Sequence, residues 1–195
     1  MTPIDQLPES VNWVEQGKVN PRVPNQGGCG SCWSFASTAV IESHYAIANN
    51  DNKPFISLSE QNMLQCTPNP DNCGGEGGCS GATVELALNY IADITTKKTG
   101  GMFTVADVPY SASPHGTCDA VTQGKNPTVG ISGWTQMPVN NLEATMNALV
   151  KVRVLEGLEF VGGRAFLTLS HSFCSRHTPG RSLGDCRGRK WLGLV

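Results

Sequence analysis

The stretch best equipped for chemistry is Q-G-G-C-G-S-C-W, residues 26–33. Two cysteines separated by two residues admit several chemistries. A thioredoxin-like redox pair needs a buried strand delivering it to a helix start, and the approach V-N-P-R-V-P-N-Q-G-G, broken by Pro21 and Pro24, cannot be such a strand. A zinc site needs a second close pair of ligands, whereas Cys66, Cys73 and Cys79 are separated by six and five residues, wider than the usual two to four. Two cysteines that are merely buried or bonded would leave Gln26 and the glycine-rich approach unexplained. A division of labour accounts for more. A thiol in the first turn of a helix faces unsatisfied N–H groups and the positive end of the macrodipole, which favour thiolate over thiol. Cys32 is then a nucleophile. Gln26, six residues earlier in a loop, could receive an oxyanion on its side-chain amide together with the Cys32 backbone N–H.

The elements that must hold these groups follow from periodicity. Pro3, Pro8, Pro21 and Pro24 make the first thirty residues an extended strap. From Ser31, apolar residues at Trp33, Phe35, Ala36, Ala39, Val40, Ile41, Ile47 and Ala48 predict a helix buried on most sides, with Cys32 in its first turn. Ser57-Leu58-Ser59-Glu60 opens a short helix ending near Cys66, and C-T-P-N-P-D-N-C-G-G-E-G-G-C is a loop. A third helix is expected around residues 84–91, then mostly loop to Pro127, then a strand in T-V-G-I-S-G-W. Asn140 and Glu143 form a capping box for a helix to about Val150.

Several of these segments together resemble the papain family of cysteine peptidases. The motif C-G-S-C-W is that family's nucleophile signature. L-P-E-S-V-N-W (7–13) is similar to the mature start of its members, and L-S-E-Q-N-M-L-Q-C (58–66), G-C-S-G-A (78–82) and V-P-Y (108–110) follow in the family's order. The resemblance runs from residue 7 to about 150. It implies an α+β papain-like fold: a helical lobe with its strap over residues 1–110, the start of a β-barrel lobe over 111–151, and a cleft between them. It implies peptide hydrolysis through an acyl-thioester on Cys32, with Gln26 as oxyanion donor and Ser80, Gly81 and Ala82 holding the substrate backbone. It also implies the disulfides Cys29–Cys79 and Cys66–Cys118, with Cys32 left as a free thiol. Cys73 has no counterpart in the family pattern, and Ala82 stands where a second glycine is usual. No cofactor or metal is implied. Peptide or protein substrates, a monomeric state, and a lysosomal, vacuolar or secreted location are.

The chain departs from the family where the second lobe should supply a histidine to pair with the thiolate and an asparagine to orient it. His171 and His177 fall within the expected spacing from Cys32, but L-S-H-S-F-C-S-R-H-T-P-G lacks the apolar strand that follows the family's histidine, and no N-S-W-G follows. His44 would sit about 18 Å down the Cys32 helix at 1.5 Å per residue, and His115 lies in a loop. The expectation is a peptidase chain inactive as it stands, the alternative a non-catalytic homologue that binds peptides or partners.

Charge marks the same break. Residues 1–150 carry 6 Lys+Arg against 13 Asp+Glu, whereas 151–195 carry 8 against 3, including six of the seven arginines. Residues 152–195 therefore read as a basic tail of different origin, with a divergent second lobe as the alternative. The net charge of −2 supplies no field to gather nucleic acid. No apolar run nears the ~18 residues of a membrane span, so neither partner is expected. Eight cysteines favour an oxidising compartment, in which case a leader would precede the present N-terminus.

Overall fold

The computed structural model describes residues 1–49, 55–151 and 163–167. Five helices are described: α1 (Cys32–Ala48), α2 (Glu60–Cys66), α3 (Val84–Thr96), α4 (Cys118–Thr122) and α5 (Leu142–Lys151). Strands β1 (Ile131–Gln136) and β2 (Gly163–Leu167) pair in parallel, with an irregularity between Ile131 and Gly133. β2 falls within 152–195; it pairs with β1 and lies against α1. α1, α2 and α3 enclose one core of Trp33, Ile41, Leu58, Met63, Leu88 and Ile91, extended by Met102, Val129 and Ile131 ahead of and within β1.

Helix α1 differs from the expectation of burial on most sides. Its buried stripe is Trp33, Ser34, Ser37, Thr38, Ile41 and Glu42, one face with a large polar share. The serines tolerate burial because each returns its proton to the helix itself, Ser34 Oγ to the Ser31 carbonyl at 2.9 Å and Ser37 Oγ to that of Trp33 at 2.7 Å. Phe35, Ala36 and Ala39 face an open groove instead. The short α2 starts where it should: Ser59 Oγ accepts the Asn62 N–H at 2.9 Å. The cap of α5 lies one residue later than the capping-box reading. Asn140 takes a left-handed φ of 55° in the preceding turn, and Asn141 Oδ1 accepts the Ala144 N–H at 2.8 Å.

The strap is fastened at both ends. Asn147, buried in α5, accepts the Thr2 N–H and donates to the Thr2 carbonyl, both at 2.8 Å. Trp13 Nε1 donates to the Leu149 carbonyl at 2.9 Å. Further along, Arg22 pairs with the buried Glu60 of α2 and lies 3.7 Å from Glu42 of α1. Glu42 Oε1 accepts the Leu58 N–H at 2.6 Å. One guanidinium thus stands between two buried carboxylates from different helices.

That arrangement has a pH signature. Burial pushes the Glu42 carboxyl above its ordinary value of 4.5 and Glu60 adds to this, while the Leu58 N–H and Arg22 pull the other way. Unfolded Glu42 loses its proton at the ordinary value, folded Glu42 at a higher one. Its contribution to stability is therefore fully present below the ordinary value and is lost as pH rises through the raised one. Glu42→Gln keeps an oxygen for the Leu58 N–H and removes the titration. Thermal unfolding from pH 7 down to pH 5 should show the wild type gaining on the variant as pH falls. A gap between the two that stays constant with pH would contradict the assignment.

Candidate active site

The loop before α1 is shaped by what its glycines allow. Gly30 donates its N–H to the Cys79 carbonyl at 3.0 Å and forms a parallel bridge with Ser80. A Cβ on Gly30 would lie 2.5 Å from that carbonyl oxygen, closer than real Cβ contacts come. Glycine between Cys29 and Ser31 therefore permits the close approach of two main chains that the Cys29–Cys79 disulfide then locks, at a Cα–Cα distance of 4.7 Å. Trp33 Nε1 adds a bond to the Gly78 carbonyl at 3.1 Å. The start of α1 and the 78–82 segment are thus joined by a disulfide, a main-chain hydrogen bond and an indole.

Gln26 and Cys32 are brought to one place. Both line an open groove of about 630 Å³ together with Val23, Pro24, Asn25, Phe35, Ala36 and Ala39. Cys32 is the first residue of a 17-residue helix whose other apolar contributors to the groove follow on the same side. Gln26 Nε2 donates one proton to the Cys29 carbonyl at 2.9 Å, and a primary amide carries two. Fixed by the first, the group has the second to offer.

The segment 80–82 forms a wall beside the loop that precedes α1, joined to it by the Gly30–Ser80 bridge. Ser80 is exposed, Gly81 takes φ +94°, and Ala82 turns its methyl into the core, 6% exposed. The methyl that distinguishes Ala82 from glycine is thereby kept off the surface. Asn69 holds the loop behind this wall, accepting the Cys73 N–H at 2.8 Å and donating to the carbonyls of Cys73 and Gly75 at 3.1 and 2.8 Å. The periodicity reading had no signal for this clamp.

The structure contains Cys29–Cys79 and Cys66–Cys118, the pairs the resemblance implies. It corrects the expectation of a free Cys32. Cys32 and Cys73 are each disulfide-bonded too, so none of the described cysteines is a free thiol. Physically, an accessible thiol with thiolate character is also the one most prone to oxidation. The chemistry asked of Cys32 therefore needs prior reduction.

Among the described residues no histidine lines the groove. His44 lies in α1, and the His115 N–H is tied to Gln65 Oε1 at 2.8 Å in the loop before α4. His171 and His177 lie outside the described residues. No group of three or more His, Cys, Asp or Glu among the described residues is placed to hold a metal, and no described helix is long and apolar enough to cross a membrane.

The sequence pattern described as papain family cysteine protease matches residues 7–176. The match continues past Lys151, where the resemblance was expected to end, and takes in His171 but not His177. Oryzain beta chain of Oryza sativa subsp. japonica is 36% identical over 169 residues, 87% of this chain and 33% of that protein. The low-temperature-induced cysteine proteinase of Solanum lycopersicum is 38% identical over 162 residues, 83% of this chain and 42% of that protein. Among solved structures, bromelain protease from Ananas comosus in complex with the E64 inhibitor superposes with a TM-score of 0.59 at 33% identity, over 73% of this chain and 58% of that one. The chain thus spans only a third to two fifths of the length of these two curated relatives.

Cys32 should resist alkylation until a thiol is added. Its side chain is partly exposed, whereas Cys29 and Cys66 are buried at 3% and 9% exposure. Graded reduction followed by iodoacetamide and peptide mapping should label Cys32 before Cys29 or Cys66. Labelling of Cys29 first would show that the loop opens before the groove residue is released.

Proposed function

Because the chain belongs to the papain family of cysteine proteases, we propose that residues 1–151 carry the nucleophile half of a cysteine endopeptidase, with reduced Cys32 as the attacking group. The observation that carries this reading is that Cys32 and Gln26 share one groove at the N-terminus of a long helix. The Cys32 thiolate attacks the substrate carbonyl carbon, forming an S–C bond. The oxyanion is received by the second amide proton of Gln26 and the Cys32 N–H. When the intermediate collapses, the bond to the leaving group breaks and an acyl-thioester remains for water to hydrolyse. Ser80, Gly81 and Ala82 hold the substrate backbone along the neighbouring wall.

Residues 1–110 serve as the helical lobe and 111–151 as the start of the second, while the basic tail 152–195 stands where a full second lobe would bring the histidine and asparagine. None of the described histidines lines the groove; without an imidazole there to protonate a leaving amine, amide hydrolysis loses most of its rate, although oxyanion stabilisation and binding remain. The chain as it stands is then a poor peptidase that still acylates with a good leaving group. A monomer acting on peptides in an oxidising compartment, vacuolar, lysosomal or secreted, agrees with two disulfides that each close about fifty residues. The absence of a groove-lining histidine among the described residues favours one other reading, a peptide-binding homologue without catalysis.

A p-nitrophenyl ester separates the two, because its phenolate departs without a proton. The reduced chain should release up to one equivalent of p-nitrophenolate in a burst. Cys32→Ser should abolish the burst, and Gln26→Ala should slow it by roughly 10²-fold. Turnover of a peptide amide should be undetectable, and should appear when residues 152–195 are replaced by a second lobe bearing histidine and asparagine. Release that survives Cys32→Ser would favour the binding homologue.

A further inference from the structure

We propose that Tyr110 is a positioning residue that holds the oxyanion-donor loop in register through its hydroxyl, an inference that rests on the roles given above to Cys32 and Gln26. Its phenol oxygen lies 2.9 Å from the Gln26 carbonyl oxygen and 2.6 Å from Ser31 Oγ. The proton count orders this contact. A carbonyl only accepts, so the single phenolic proton goes to Gln26. Ser31 must then donate to the Tyr110 oxygen, leaving its longer alternative, the Cys29 carbonyl at 3.5 Å, as the lesser partner. The result is a directed chain, Ser31 O–H to Tyr110 O–H to the Gln26 carbonyl, in which each bond polarises the next.

This chain clasps the two ends of one loop. At one end is the residue whose amide is to meet the oxyanion, at the other the residue directly before Cys32. Between them lie Gly27, at φ +61°, with Gly28 and Gly30; the Cys29–Cys79 disulfide locks the later part of this loop, and the clasp holds the Gln26 end that the glycines before Cys29 would otherwise leave free to move. Tyr110 is itself held. Its ring meets Phe35 of α1 edge-on, centroids 4.8 Å apart at 85°. Two residues earlier, the buried Val108 donates its N–H to the Thr104 carbonyl at 3.0 Å and accepts from Ser59 Oγ at 2.6 Å. The ring packs and the hydroxyl clasps, and Tyr110 is not among the residues lining the groove. Its influence on the reaction runs through Gln26.

The test compares two reactions of reduced Cys32 in the full chain. Release of p-nitrophenolate from an ester develops an oxyanion; displacement of iodide from iodoacetamide does not. Tyr110→Phe, which keeps the ring, should slow the ester burst about tenfold while changing the alkylation rate by less than about twofold. In a Gln26→Ala background it should have no further effect on the burst. If Tyr110→Phe is not recovered folded, Ser31→Ala removes the donor to the same oxygen and should show the same split. Equal slowing of both reactions, a burst at the wild-type rate, or a full additional loss in the Gln26→Ala background would each overturn the proposal. A wild-type chain with no Cys32-dependent burst would overturn the nucleophile reading and this inference with it, whereas a normal burst in Tyr110→Phe overturns the inference alone.

Discussion

The close approach of Gly30 to Cys79 is the constraint on which the rest of the site depends. The two main chains meet there through one hydrogen bond, and the Cys29–Cys79 disulfide beside it makes the meeting permanent. In the chain-entropy view a closed loop of this length is worth about 4 kcal/mol. Its local effect matters more. It places the first turn of α1 beside the 78–82 segment, so the two are set by one junction rather than by the packing of separate elements. Any side chain at position 30 would meet the Cys79 carbonyl and force the two main chains apart just before Cys32.

A second tier of order comes from polar groups that the core accepts only because they are paired. Arg22 reaches from the strap to carboxylates on α1 and α2, and the Leu58 N–H completes Glu42. Buried charges of this kind add little net stability compared with apolar packing, but losing one partner leaves the others uncompensated. They therefore act as registration: the strap, α1 and α2 have one arrangement in which Arg22 reaches both carboxyl groups and Glu42 reaches the Leu58 N–H. The strap then enters the Pro24–Gln26 segment from a fixed direction, which is how a surface-running N-terminal stretch comes to matter for a groove.

Much of this was legible in the chain itself, for reasons that differ by residue. The meeting of Cys32 and Gln26 in one groove could be read because a helix start and the loop just before it are neighbours along the chain, a local relation that sequence preserves. The starts of α1 and α2 were likewise local. The capping of α5 was misread by one residue because Asn140 and Asn141 offer the same chemistry, and only the backbone decides which of them takes the left-handed turn. The stripe of α1 was misread because hydropathy counts serine as a surface residue, whereas Ser34 and Ser37 satisfy themselves within the helix. The Arg22–Glu42–Glu60 cluster, the Asn69 clamp and the contacts of Tyr110 gave no sequence signal, since each joins residues whose meeting depends on the folded path. The oxidised state of Cys32 was invisible for the opposite reason: the features that make a thiol reactive also make it oxidisable, and the motif does not say which has happened.

The disulfides Cys29–Cys79 and Cys66–Cys118 interlace. One closes residues 29–79 and the other 66–118, and the loops share the stretch from 66 to 79. Any single scission of the main chain between Cys29 and Cys118 therefore leaves both fragments covalently attached to each other. This turns a nick from a route to dissociation into a local change in flexibility. The glycine-rich loop behind the 80–82 wall lies largely inside the shared stretch, spanned by both bonds. A cleaved chain would travel as one species until it met a reductant, and the same reductant is what releases Cys32.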